Sequence, residues 1–191
     1  MNENILLRDA RVEDAPQVAR MVMMAMTDEC CKYFCGPNHT LDDFHQLMTS
    51  LVERTDTQYS HLNTVCAEDT VMGMVCGVCI TYDGGKLALL RQPFWDAALT
   101  EWGMDHSNMS NETQSGELYL DSLAVLPDYR GQGIALALLR RAKEKAARMN
   151  LPLGLLVDCG NPKAEALYFS VGFRHVDDNM WGGHRMKHLQ C

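Results

Sequence analysis

The sequence predicts a mixed α/β (α+β) domain, a central sheet of about seven strands with helices on both faces. Three observations predict it. Short apolar runs alternate with amphipathic stretches in the order βααββ, then an intervening segment, then βαβαββ. The run VLPDYRGQGIALALL, residues 125–139, passes from an apolar strand through a glycine turn straight into a helix. A chain of 191 residues, 47% hydrophobic and 22% charged, is also long and apolar enough to bury one proper core.

Residues 5–10, ILLRDA, read as a short strand. Residues 13–26 read as a helix, because Val18, Met21, Val22 and Ala25 recur at three- and four-residue steps. The methionines at 21, 23, 24 and 26 form an adaptable surface, suited to core filling or to a pocket wall. Thr40 is an N-cap with Asp43 at the third helical position, and its helix runs to about Arg54. Residues 63–68 and 72–82 read as antiparallel strands joined by the polar Asp69-Thr70 turn, the second weakened by Gly73 and Gly77. Residues 83–115 form an insert. Within it Pro93 opens a helix, Gly103 closes it, and Phe94, Ala98 and Trp102 share a face. Polar residues 104–115 read as a lid or a disordered loop. A strand at 117–126, a helix at 133–149 and a buried strand at 153–158 follow. A short helix at 162–171 has Asn161 as cap and Pro162 at its first position, and strands at 173–176 and 184–188 close the chain. Residues 1–191 then make a single domain carrying the insert at about 83–115.

The net charge of -8 argues against nucleic acid as a partner, since a phosphate backbone calls for a basic face. No apolar run approaches the roughly 18 residues of a membrane helix, and no basic segment precedes an apolar stretch at the start, so neither membrane nor secretion is expected and the cytoplasm is the expected location. Eight cysteines in that compartment are expected to be free thiols. Cys76 and Cys79 form a CxxC, but strand alternation sends positions three apart to opposite faces. Cys30, Cys31, Cys35 and His39 have loose zinc-like spacing with no second CxxC, and no metal is expected. From Gln92 to Tyr129 there are seven acids and no Lys or Arg, whereas residues 130–148 are rich in both. Two solvated faces would explain this, as would an acidic mouth for a cationic substrate beside a seat for an anion.

The glycine turn carries the chemistry. Strand, turn and helix together aim several main-chain N–H groups at one spot, where the helix dipole favours a phosphate. Gly131 and Gly133 let the backbone approach a ligand closely. No GxxxxGK[ST] is present, and the Rossmann pattern fits poorly because the turn begins with Arg130. Arg130, Gly133 and Ala135 closely resemble the pyrophosphate-binding pattern of the GNAT superfamily of acetyl-CoA-dependent N-acetyltransferases, with Val125, Pro127 and Asp128 suiting it. NPKAEALYFSVGF, residues 161–173, resembles that family's C-terminal signature, and LLRDARVEDAPQVARM resembles its opening strand and helix.

The resemblance implies the GNAT fold and an acyltransferase with acetyl-CoA as co-substrate. It implies that main-chain groups of Leu123, Ala124 and Val125 pair with the pantetheine arm. Gly131, Gln132, Gly133, Ile134 and Ala135 would take the pyrophosphate with Arg130 nearby, and Asn161 would touch the pantetheine or cap its helix. Amine attack on a thioester needs the amine deprotonated, the oxyanion stabilised and the thiolate protonated. Tyr168 matches the family's tyrosine at the CoA sulfur. Glu117 and Asp121, four apart and on one face of a regular strand, are the candidate bases. The acid and rings of the insert (Phe94, Trp95, Trp102) suit a small cationic amine, with a protein amine as the other acceptor class. Dimers are common among such proteins, which leaves a homodimer open. A non-catalytic acyl-CoA sensor on the same fold is the alternative.

Overall fold

The computed structural model describes residues 3–181 and 183–191. Its strands are β1 (Ile5–Asp9), β2 (Thr64–Asp69), β3 (Met74–Asp83), β4 (Leu118–Val125), β5 (Leu153–Asp158), β6 (Arg174–Trp181) and β7 (His184–Gln190). Its helices are α1 (Ala15–Met26), α2 (Asp28–Cys35), α3 (Leu41–Glu53), α4 (Leu87–Trp102), α5 (Ile134–Met149) and α6 (Pro162–Ser170). The strands form one sheet in the order β1-β2-β3-β4-β5-β7-β6. Only the central pair, β4 and β5, is parallel; every other neighbour pair is antiparallel. The expected mixed seven-stranded sheet is therefore present.

Each face has its own core. On one, α1, α2, α3 and α4 bury Val18, Val22, Phe34, Phe44, Met48 and Phe94 against Val78 and Ile80 of β3. On the other, α5 buries Ile134, Leu138 and Leu139 against Leu118, Leu120 and Leu155. Thr40 caps α3 as expected, in a full capping box with Asp43.

Four expectations change. The sequence reading lacks α2, an eight-residue helix begun by Thr27, whose side chain accepts from the Cys30 N–H, with Asp28 and Glu29 in the first turn. The helix of the insert starts at Leu87, so Pro93 lies inside it instead of at its first position. Proline removes an N–H from the helical ladder. Beside that gap the Leu90 carbonyl accepts, at 2.9 Å, from the main-chain N–H of Gln58, outside the helix. Cys76 and Cys79 both lie in the core under α5, because a bulge in β3 (Ala67 pairs Gly77, Glu68 pairs Val75) makes Cys76 the extra residue and breaks the alternation. Finally, the loop from Gly103 to Gly116 is packed, neither open lid nor disordered. His106, Glu112 and Thr113 are buried, and the His106 ring bonds the Phe34 carbonyl at 2.9 Å. All eight cysteines are free thiols. No helix among the described residues is long and apolar enough to cross a membrane.

Candidate active site

The parallel junction of the sheet is incomplete. β4 and β5 pair only through Leu118 with Leu153 and Tyr119 with Gly154. Beyond that point β4 stays paired with β3 as far as Val125, and β5 with β7 as far as Asp158, so the two strands diverge and leave a cleft. The β4 edge at Leu123, Ala124 and Val125 has no strand beside it on the cleft side. The side chains of Ala124 and Val125 are buried, leaving main-chain groups as what this edge offers.

Past the end of β4, Gly131 and Gly133 turn the chain with φ of 75° and 82°, values that favour glycine. Gly133 is the N-cap of α5, and no side chain caps that helix, although Asn161 caps α6 and Thr40 caps α3. The polar side chains of the turn bond backwards instead: Arg130 Nε donates to the Val125 carbonyl at 3.0 Å and Gln132 Nε2 to the Asp128 carbonyl at 3.2 Å. The first-turn N–H groups of α5 thus lack acceptors within the helix and lie at the open end of the cleft. An unobstructed helix N-terminus beside a free strand edge fits a diphosphate carrying a long amide-bearing arm, which is the chemistry of coenzyme A.

The two candidate carboxylates have different fates. Glu117 is buried just before β4 and accepts from Thr113 Oγ1, from His188 Nε2 at 2.8 Å and from Gln190 Nε2 at 2.8 Å. Burial pushes its carboxyl up, but the bonds from His188, Thr113 and Gln190 outweigh that and hold it below the usual range. A carboxylate held ionised by its donors ties strands together and is the weaker proton acceptor of the two candidates.

Asp121 sits at a second bulge, where Ile80 pairs Ser122 and Thr81 pairs Leu120. Its carboxylate receives Ser122 Oγ at 2.8 Å, Gln58 Nε2 at 3.2 Å and Tyr82 Oη at 3.2 Å. Burial first, and then the nearby Glu112 carboxylate, push the Asp121 carboxyl up to about 7. A buried carboxyl whose proton is held toward neutrality is suited to general base work.

Tyr168 lies on α6 on the opposite side of the sheet, in the core that holds Cys79, Leu123 and Ile134, with its ring edge-on to Phe173 at 5.6 Å. Its hydroxyl has no hydrogen-bond partner among the described residues, and burial pushes its pKa up, which keeps the phenol proton in place. Asn161 Oδ1 accepts from Ala164 N at 3.1 Å, so the capping role is the one seen. The rings of the insert are occupied within the chain. Phe94 is buried, Trp102 stacks on Phe44 at 5.7 Å, and Trp95 lies under the chain's own Arg91 at 4.1 Å.

The sequence reading missed Gln58, Tyr82 and Glu112, which surround Asp121 from three separate segments. Only a fold brings them together, although an acid and a glutamine in polar loops are the residue types to look for.

The chain matches the model of the acetyltransferase (GNAT) family over residues 23–173. It is similar to a solved acetyltransferase at 26% identity over 97% of each chain, with a TM-score of 0.77. An N-acetyltransferase from Staphylococcus aureus shares the fold at 22% identity and a TM-score of 0.79, over 97% of this chain and 100% of its own. The spermidine N-acetyltransferase of Vibrio cholerae does so at 16% identity and a TM-score of 0.57, over 100% of this chain and 94% of its own. No curated protein matches the chain. A family match across most of the length, on a sheet that opens beside a bare helix N-terminus, places this protein in the acetyltransferase (GNAT) family, as an acyltransferase enzyme.

Proposed function

We propose that the enzyme moves an acetyl group from acetyl-CoA to a small cationic primary amine by direct attack, both substrates being bound together. The observation that carries this reading is the cleft: β4 and β5 pair at two positions and then part, beside the uncapped end of α5. Acetyl-CoA, when bound, supplies the activated acetyl thioester. Main-chain N–H groups of Gly131, Gln132, Gly133, Ile134 and Ala135 would hold its pyrophosphate, with Arg130 nearby, and the β4 edge at Leu123, Ala124 and Val125 would hold its arm. From Val125 to Asp121 is four strand steps, roughly 13 Å, so an arm laid along this edge is led from the anion seat toward the carboxylate.

Asp121 is the base in this reading and Tyr168 the acid. They approach the cleft from opposite faces of the sheet, so one can take the proton of the amine while the other gives a proton to the departing sulfur. Tyr168 keeps its proton in the neutral range in which Asp121 ionises. The acceptor side offers the Asp121 carboxylate and Gln58 Oε1, a buried acceptor with no partner among the described residues. Both receive N–H hydrogens, which favours an ammonium or amine over an acidic acceptor. The enzyme acts in this reading without a metal.

The test is release of CoA thiol from acetyl-CoA across a panel containing a polyamine, an aminoglycoside, an amino-acid ester and a peptide with a free N-terminus. Turnover is expected with one or more of the cationic small amines, and Tyr168→Phe is expected to lower it at least tenfold. Acetyl-CoA binding without turnover of any amine would favour a sensor, and near-normal turnover by Tyr168→Phe would remove the acid from the mechanism.

A further inference from the structure

Beneath Asp121 lies a second carboxylate that the reading above does not use. Glu112 comes from the packed loop before β4 and is 6% exposed. Its Oε2 faces Arg91 NH1 of α4 at 3.2 Å and receives Trp181 Nε1 of β6 at 3.1 Å. Its Oε1 lies 3.3 Å from Tyr82 Oη. The same hydroxyl lies 3.2 Å from Asp121 Oδ2. Three oxygens therefore stand in a row, Asp121 to Tyr82 to Glu112, with a single phenolic hydrogen among them when both acids are ionised.

One hydrogen cannot fill both gaps of that row. When Tyr82 donates to one carboxylate, its oxygen meets the other with lone pairs on both sides, which is repulsive in a buried setting. A second hydrogen removes the conflict. It belongs on Asp121, because Glu112 faces a guanidinium and accepts an indole N–H, which offset part of the burial that pushes its own carboxyl up. We propose that Glu112 is a positioning residue of the acceptor site, which acts through the Tyr82 hydroxyl to make Asp121 a stronger proton acceptor. This rests on the reading of Asp121 as the base.

The proton count is simple. The ammonium N–H bond breaks, and its hydrogen becomes an O–H on Asp121 while the electron pair stays on nitrogen. The new O–H donates to Tyr82 Oη, and the phenolic hydrogen, still on Tyr82, points to Glu112. No net charge is created, since the ammonium loses the charge that the carboxylate gains. The other groups around the row are Gln58 and Tyr59 from the segment after α3, Tyr119 and Ser122 of β4, and Cys30 of α2 beside Tyr59. Burial pushes the phenols of Tyr59, Tyr82 and Tyr119 far up, so they stay neutral and the two carboxyls are what titrates.

The experiment follows the ligand-free enzyme by carbon-13 carboxyl NMR across pH, the Asp121 signal being identified by its loss in Asp121→Asn. In the wild type Asp121 is expected to titrate near neutrality, and in Glu112→Gln and in Tyr82→Phe its midpoint is expected to fall by at least one pH unit. Glu112→Gln strips the buried Arg91 of its charged partner and can cost folding. Tyr82→Phe removes one hydroxyl from a ring that stays packed, and by itself decides the matter. An unmoved midpoint in folded Tyr82→Phe, or a raised one as loss of a simple donor to Asp121 would give, overturns the role of Glu112 and leaves the base assignment standing. Unchanged turnover by Asp121→Asn, with the acceptor that the amine panel yields, overturns both.

Discussion

Asp121 and Glu117 leave the same strand four residues apart, yet their environments drive them in opposite directions. Glu117 has three donors, His188 among them; Asp121 also has three but is buried near a second acid. The signs of their stability contributions differ accordingly. The folded state holds the Asp121 proton to about 7, whereas an unfolded aspartate releases it near its usual 3.8, so stability falls as pH climbs between those values. Asp121→Asn is therefore expected to melt above the wild type at pH 8 and level with it near pH 3, while turnover collapses; parallel melting curves at all pH would refute the buried-acid account. In the Glu117–His188 pair only the glutamate share works the other way. Its histidine share is complete below about 6.5 and lost as pH rises through the raised value, and its glutamate share is complete above about 4.5 and lost on acidification. The sequence shows both acids and even their shared face, because strand period is a local property. It does not show that one has been saturated by a histidine 71 positions away, which depends on how β7 meets β5.

Among the elements, those with strong local signals match their expected positions: α3 with its capping box, α5 after the glycine turn and α6 behind Asn161 and Pro162. The misreadings have local causes too. α2 is two turns long and follows α1 after one residue, Thr27, so its stripe merges with that of α1. Pro93 looks like a start signal, but tertiary packing of Leu87, Arg91 and Phe94 carries the helix through it. Gly154 of β5 has the clearest mechanical role. It pairs with Tyr119 at the last point where β4 and β5 touch, and a Cβ there would overlap the Glu117 carboxylate. In an ordinary strand alanine is no worse than glycine. Here Gly154→Ala is expected to destabilise by about 1–3 kcal/mol or more, read as a lower urea midpoint. A neutral or stabilising result would show that Glu117 can move aside at little cost.

At the scale of the whole molecule, element order and hydrophobic period made the seven-stranded sheet and its two helical layers legible before any coordinates. The divergence of β4 from β5 is not in either strand alone, since each reads as an ordinary buried run. It comes from where their other partners, β3 and β7, carry them. The acceptor surroundings were still less legible, since Gln58, Tyr82, Glu112 and Asp121 come from four separate segments and meet only through long-range packing.

That divergence also means the sheet is two leaves, β1 to β4 and β5 to β7, hinged at two adjacent residue pairs. A molecule whose amide-bearing arm lies between the leaves becomes a clasp. The empty enzyme is then expected to open along the β4 rim more readily than the loaded one. Added acetyl-CoA is expected to slow amide hydrogen exchange at Leu123, Ala124 and Val125 and along β5, with stabilisation of about 2.7 kcal/mol at a hundredfold excess over Kd. Unaltered exchange on the rim at saturation would mean that the leaves are held some other way.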